Sequence, residues 1–314
     1  EQWRAMKNIA NSRGIRIIGD IPFYVNFESV DAWSHPEIFQ LDKASGLPAA
    51  VAGVPPDYFS SSGQRWGNPL YRWQQDGEPH AGTTAWWTYR IRHLLGLVDV
   101  LRIDHFRGFD SYWAIPASEL TAVKGQWRPG PGEAFFAAVK KELGELPLIA
   151  EDLGELTPEV EALRDRLGFP GMKILQFAFD GQPGNPYLPH NYSHANCLVY
   201  TGTHDNNTSN GWFYGPETGE ETKRAVMDYM NLGHRDEFHW QFIRLAMQSV
   251  ACLALIPVQD ILGYGERFRM NTPGRAGGNW LWRLTAGALT PEIGRHLLHL
   301  TELFNRRPRS GITV

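Results

Sequence analysis

The sequence has 314 residues, more than a typical domain of ~100 to 200, so it folds either as two ordinary domains or as one barrel-sized unit with a large core. A hydrophobic content of 42%, with 12 Trp, 11 Tyr and 16 Phe, excludes a disordered chain, and 32 Gly with 21 Pro marks long loops short of low complexity. Thirty basic against 34 acidic side chains leave a net charge of −4, which gives no basic footprint for nucleic acid and favours a neutral partner.

In chain order, a helical stretch over residues 3–10 leads into the first of six short apolar runs, at 15–19, 98–103, 146–150, 172–177, 197–201 and 253–258. Runs that are apolar on both faces and separated by stretches too long for hairpins point to a parallel sheet. At this length, alternation of strands with helices favours an α/β fold of the (β/α)8 TIM-barrel type. A closed barrel of this kind needs eight strands. The expectation is therefore a catalytic barrel domain over 1–314 that is incomplete at its N-terminus, with two strands upstream. Residues 26–97, between the first two runs, read as an insertion that carries a substrate-covering loop at 55–73.

Residues 133–143 carry Phe135, Phe136, Val139 and Leu143 at helical spacing, and Gly144 is a natural stop. Thr157, Pro158 and Glu159 form an N-cap, a first-turn proline and an acidic first turn. Residues 291–304 read as a terminal amphipathic helix. The longest apolar run, 250–258, is too short to cross a bilayer, and no signal-peptide pattern opens the chain. Cys197 and Cys252 lie in separate apolar segments and read as two buried thiols, which suits the cytoplasm.

In a parallel barrel the active site is built at the C-terminal ends of the strands. Three of the runs end in acids: Arg102-Ile103-Asp104-His105, Ala150-Glu151-Asp152, and Thr203-His204-Asp205-Asn206. Strand alternation puts Arg102 and Asp104 on one face, so the guanidinium holds that carboxylate ionised, as a nucleophile requires. Glu151 follows Leu148-Ile149-Ala150, an apolar entrance that keeps a proton on a general acid. Two carboxyls about 5 Å apart across a sugar bond are what retaining glycoside chemistry needs, and Asp205 can brace the distorted ring. A single Asp at a strand end more often caps a helix or pairs with an Arg, and it is the set of three that shifts the balance. A Zn or Mn centre built from Asp104, His105, His204 and Asp205 is a weaker reading, because Arg102 aimed at the same pocket opposes a cation. His105 then packs in the wall.

At these segments the chain resembles the 4-alpha-glucanotransferases of glycoside hydrolase family 77, the amylomaltases or disproportionating enzymes of the alpha-amylase clan. The likeness runs through Gly19-Asp20-Ile21-Pro22-Phe23-Tyr24-Val25, Pro55-Pro56-Asp57-Tyr58-Phe59-Ser60, Gly63-Gln64-Arg65-Trp66-Gly67-Asn68-Pro69-Leu70-Tyr71, the three acidic strand ends, Arg269-Met270-Asn271-Thr272-Pro273-Gly274 and Gly278-Asn279-Trp280. It implies Asp104 as nucleophile, Glu151 as general acid/base and Asp205 as transition-state stabiliser, with no cofactor and no metal. It further implies that Arg102, His204 and Asp20 support the sugar where the covalent intermediate forms. Asp57, Phe59 and Trp66 are then expected over the glucan chain, with Asn271 in reach of it. Members of the family are longer at the N-terminus, where the first two barrel strands and part of the acceptor surface lie.

Tyr58, Phe59, Trp66, Tyr71 and Trp73 supply the flat apolar faces that sugars stack on, whereas Trp86 and Trp87 read as core. The expected activity is transfer of α-1,4-glucan segments from a donor to the 4-hydroxyl of an acceptor, with glucans and maltooligosaccharides as partners and neither nucleic acid nor membrane involved. The alternatives are an alpha-amylase-like hydrolase and an inactive glucan-binding piece that lacks the upstream strands.

Overall fold

The computed structural model describes residues 1–57, 60–154, 156–233 and 237–307. The chain divides into two compact units, Glu1–Gly171 and Met172–Val314.

In the first unit, α1 (Gln2–Ser12) precedes β1 (Ile18–Ile21), and α2 (Val30–Ser34) leads to the hairpin of β2 (Ala50–Val54) and β3 (Gln64–Pro69). A small hairpin, β4 (Gln74–Gln75) and β5 (Glu78–Pro79), is followed by α3 (Ala81–Leu95) and β6 (Val100–Ile103). Then come β7 (Ser111–Pro116), β8 (Gln126–Pro129), α4 (Gly132–Leu143), β9 (Leu148–Ala150) and α5 (Pro158–Leu167). Strands β1, β6 and β9 form a three-stranded parallel sheet, in which Asp20 faces Arg102 and Arg102 faces Ile149. Ile21, Leu101, Ile103, Leu148, Ile149 and Ala150 are all buried, as a parallel sheet covered on both faces requires.

The first strand starts three residues later than the run 15–19 suggested. The Ile15 N–H still donates to Ala10 O and closes α1, so Ile15 stays exposed. The Asp99 carboxylate then takes up the Ile17 N–H at 2.7 Å, Asn11 Nδ2 at 2.9 Å and Lys7 Nζ at 3.2 Å, which fixes the entry to the sheet.

A second sheet, β3-β2-β7-β8, is antiparallel and is not among the strands read from the sequence. Two of its strands lie within 26–97, while β7 and β8 follow β6. Trp87 is fully buried, with ring centroids of Phe23, Tyr71 and Phe109 at 5.8, 5.7 and 5.4 Å. Tyr71 and Trp73 are buried in the same core, so neither is the exposed sugar platform expected of the 55–73 segment. Helix α4 buries Phe135, Phe136 and Val139 and stops at Gly144, whose φ of +80° strains any residue with a Cβ. Thr157 is at the N-cap of α5 and Pro158 at its first position, but the Thr157 hydroxyl accepts no backbone N–H. It instead bonds the Glu159 carboxylate, which that helix-start N–H and the hydroxyl together hold below its usual range.

Strand β10 (Gly171–Ile174) opens the second unit, followed by β11 (Cys197–Tyr200), α6 (Ser209–Tyr214), α7 (Glu220–Met230) and α8 (Phe238–Gln248). After these come β12 (Leu253–Leu255), α9 (Val258–Ile261) and α10 (Pro291–Leu303). The sheet order is β10-β11-β12, with β11 and β12 parallel. Phe213 and Phe238 stack at 4.0 Å in this core. Cys197 is buried but Cys252 is exposed, contrary to the reading of two buried thiols. Pairing of β11 with β12 brings the two cysteines side by side, and the Cys252 thiol donates to the Cys197 carbonyl at 3.3 Å. Among the described residues no helix is long and apolar enough to cross a membrane.

Candidate active site

The polar cluster of the first unit grows from the ends of β1, β6 and β9. Strand pairing sets Asp20 beside Arg102, and alternation along β6 turns Asp104 to the same face. Arg102 Nη1 donates to Asp20 Oδ2 at 2.5 Å and Nη2 lies 3.0 Å from Asp104 Oδ1. The Arg102 side chain is only 12% exposed, while both carboxylates keep 46% of their surface open to solvent. Burial opposes the charge on Arg102, but Asp20, Asp104 and Glu151 outweigh it and hold the guanidinium more firmly protonated than usual.

Glu151 follows β9 directly and accepts two backbone N–H bonds, from His105 to Oε2 at 2.7 Å and from Leu153 to Oε1 at 2.8 Å. Its carboxyl is nevertheless pushed up to about 7. Burial is the main cause and the Asp104 charge adds to it, against the opposing pull of Arg102 and the two N–H groups. Two carboxyls at the ends of neighbouring strands thus differ in setting, one open beside a guanidinium and the other desolvated and proton-bearing.

His105 creates this arrangement. Its φ of +53° places a non-glycine residue in the left-handed region, so the chain reverses just after Asp104. The reversal aims the His105 N–H at the Glu151 carboxyl and the Phe106 N–H at the Glu151 carbonyl. The imidazole packs in the wall against Phe23, Tyr24 and Trp66, and burial lowers it to about 4, which leaves it neutral. The left-handed turn, rather than strand alternation, is what sends it there. Behind the acid, Arg164 Nη1 donates to the buried Asp152, and a Cβ on Gly171 would come within 2.2 Å of Asp152 Oδ2, so only glycine fits.

Trp66 is 39% exposed and meets the His105 ring edge-on at 4.9 Å, which sets one indole face at the rim of this cluster. Asp57 is exposed on the same hairpin, where its carboxylate accepts the Ser60 N–H at 2.7 Å. Phe59, expected over the glucan chain, and Tyr58 lie outside the described residues.

In the second unit, the segment after β11 is a knot of short bonds: Thr203 N to Asn206 Oδ1 at 2.8 Å and Asp205 N to Thr203 Oγ1 at 3.2 Å. The buried Asp260 anchors both ends of it, accepting the Thr201 hydroxyl at 2.6 Å and the Ser209 N–H and hydroxyl at 2.7 Å each. Burial raises its carboxyl against those three donors. Asp205 is thereby held with 46% of its side chain open, beside His204 Nε2 at 3.4 Å. Asn271 Nδ2 donates to Asp205 Oδ1 at 2.5 Å, and Arg269 Nη2 donates to the Asp205 carbonyl at 2.6 Å. Among the described residues no three His, Cys, Asp or Glu side chains come together as metal ligands would.

The structure thus gathers Asp20, Arg102, Asp104 and Glu151 in one unit and His204, Asp205 and Asn271 in the other. Sequence reasoning missed the His105 N–H, Arg269 and Asp260. A buried Asp facing Thr and Ser hydroxyls leaves no periodic signal, while Arg269 was visible only as part of a longer motif.

A family model described as 4-alpha-glucanotransferase matches residues 1–290. The chain is 52% identical over 307 residues to the 4-alpha-glucanotransferase of Synechocystis sp., covering 98% of this chain and 60% of the relative. To the 4-alpha-glucanotransferase of Thermus thermophilus it is 51% identical over 312 residues, covering 97% and 61%. The fold is similar to that of an amylomaltase from Streptococcus agalactiae solved in complex with acarbose, with a TM-score of 0.89 and 41% identity over 97% of this chain and 60% of that one. The chain therefore spans about three fifths of the length of these relatives.

Proposed function

The chain belongs to the 4-alpha-glucanotransferase family, and from that premise we propose that it carries the catalytic centre of an enzyme that moves α-1,4-glucan segments between chains. The observation that carries this is the Asp20–Arg102–Asp104 ion-pair chain beside Glu151, a carboxyl pushed up to about 7. Asp104 attacks the anomeric carbon of the donor while Glu151 gives its proton to the departing 4-oxygen. The glucosyl unit is then held as an ester on Asp104. Glu151, now ionised, takes the proton of an incoming 4-hydroxyl, and the new acetal releases Asp104. Asp205 and His204 hold hydroxyls of the distorted ring, and Arg102, itself fixed by Asp20, keeps the Asp104 carboxyl aimed.

The architecture that goes with this reading is a (β/α)8 barrel, in which active-site residues sit at the C-terminal strand ends. The sheets β1-β6-β9 and β10-β11-β12 supply six strands to it. Residues 26–97 form the insertion, whose 55–73 segment covers the glucan and keeps water from the ester, with Trp66 and Asp57 as glucan contacts on it and Asn271 as a further glucan contact. Two cysteines with no disulfide between them suit a reducing compartment such as the cytoplasm.

Maltotriose separates transfer from hydrolysis. The complete polypeptide is expected to convert it to glucose plus maltotetraose and longer oligomers, read by chromatography of the products. Glucose and maltose alone would establish a hydrolase instead.

A further inference from the structure

Trp280 has a φ of +61°, in the left-handed region that bulky side chains avoid. Glycine or asparagine would take this conformation freely. Such strain in a core residue is offset by packing, yet 52% of Trp280 is exposed. The surroundings keep it there. Its N–H donates to Met270 O at 2.8 Å, Arg283 Nη1 donates to its carbonyl at 3.1 Å, and the preceding Asn279 accepts the Thr272 N–H at 3.0 Å and donates to Arg275 O at 2.9 Å. The loop so closed is the one that supplies Asn271 to Asp205. On its other side the indole lies 5.2 Å from the His204 ring, inclined by 40°.

We propose that Trp280 is a sugar-stacking platform, its indole face carrying the C–H face of the glucosyl unit adjacent to the one that His204 and Asp205 hold. This rests on the glucan-transfer reading above and adds a binding residue that it did not contain. A sugar ring needs a flat apolar surface bounded by groups that bond its hydroxyls, and Trp280 with the half-exposed His204 and Asp205 supplies both. The strained backbone holds the ring out in solvent beside those groups, where contact with the glucan rather than with the core offsets its cost.

The test compares Trp280→Asn, Trp280→Gly and Trp280→Phe in the complete polypeptide, using acarbose affinity by calorimetry and the kinetics of maltotriose disproportionation. Asn and Gly accept the left-handed backbone, so their thermal midpoints should match or exceed that of the parent. Loss of the stacked face should raise the acarbose Kd and the KM about tenfold while kcat changes less than about twofold. Phe should retain affinity within about threefold. Two outcomes overturn the platform: an unchanged Kd in Trp280→Asn and Trp280→Gly, or a fall in kcat with affinity intact, which would make the ring a prop for His204. A parent protein that binds acarbose but forms no longer oligomers would sink the transfer reading while leaving the platform standing.

Discussion

Asp104→Asn is expected to abolish glucan transfer, with a loss of at least about 10^4-fold in kcat/KM, while acarbose or maltoheptaose binding stays measurable. Asn fills nearly the same volume and can still accept a bond from Arg102, whose second partner, Asp20, remains in place. What disappears is the carboxyl oxygen that attacks the anomeric carbon in the proposed mechanism. Asp20→Asn is the control, since it removes an equal charge from the same guanidinium without touching the nucleophile. If the two variants lose the same activity, Asp104 acts only through the ion pair. Wild-type-like turnover by Asp104→Asn would remove it from the role altogether.

Glu151→Gln is expected to lower transfer by roughly 10^3-fold, because an amide can neither give a proton to the departing oxygen nor take one from the acceptor. In the parent enzyme kcat/KM should fall as pH rises through about 7, where the folded carboxyl loses its proton. The Gln variant should lack that limb, and a persisting limb would assign it to another group. Stability follows with a definite sign. The folded state holds this proton up to about pH 7 and the unfolded chain only up to about 4.5, so between these values the folded state binds more protons and stability declines as pH rises. Denaturant unfolding should show the parent losing up to about 3 kcal/mol relative to Glu151→Gln across that window. A gap between the two that stays constant with pH would contradict the raised carboxyl.

Leu148–Ala150 and Cys197–Tyr200 were legible because they are buried along their whole length, and burial of that kind leaves a contiguous apolar run, whereas Leu253–Leu255 is only partly buried. The β3-β2-β7-β8 sheet was not legible. Gln64–Pro69 and Gln126–Pro129 are polar edge strands held by neighbours rather than by hydrophobic alternation, and Trp113 meets Trp127 at 5.1 Å only once the chain has folded. The three acids were readable from their strand ends, whereas the turn that organises Glu151 depends on a backbone angle at His105 that its residue type does not announce. The same holds for Trp280. Composition also misled at Tyr71 and Trp73, since an aromatic-rich segment reads alike whether its rings face a sugar or a core.

Arg102, shared by Asp20, Asp104 and Glu151, gives the site a self-timing character. At rest, the negative charge of Asp104 helps to keep the proton on Glu151 while Arg102 pulls the other way. Once Asp104 is esterified it is electrically neutral, so its repulsion vanishes and the attraction of Arg102 remains. In the proposed cycle the proton affinity of Glu151 therefore drops at the moment its task changes from donor to acceptor, and reverts when the ester is resolved. Infrared titration of a trapped glucosyl-enzyme should find this carboxyl ionising at lower pH than in the resting protein, and an unmoved titration would mean that the two halves of the cycle are not coupled in this way.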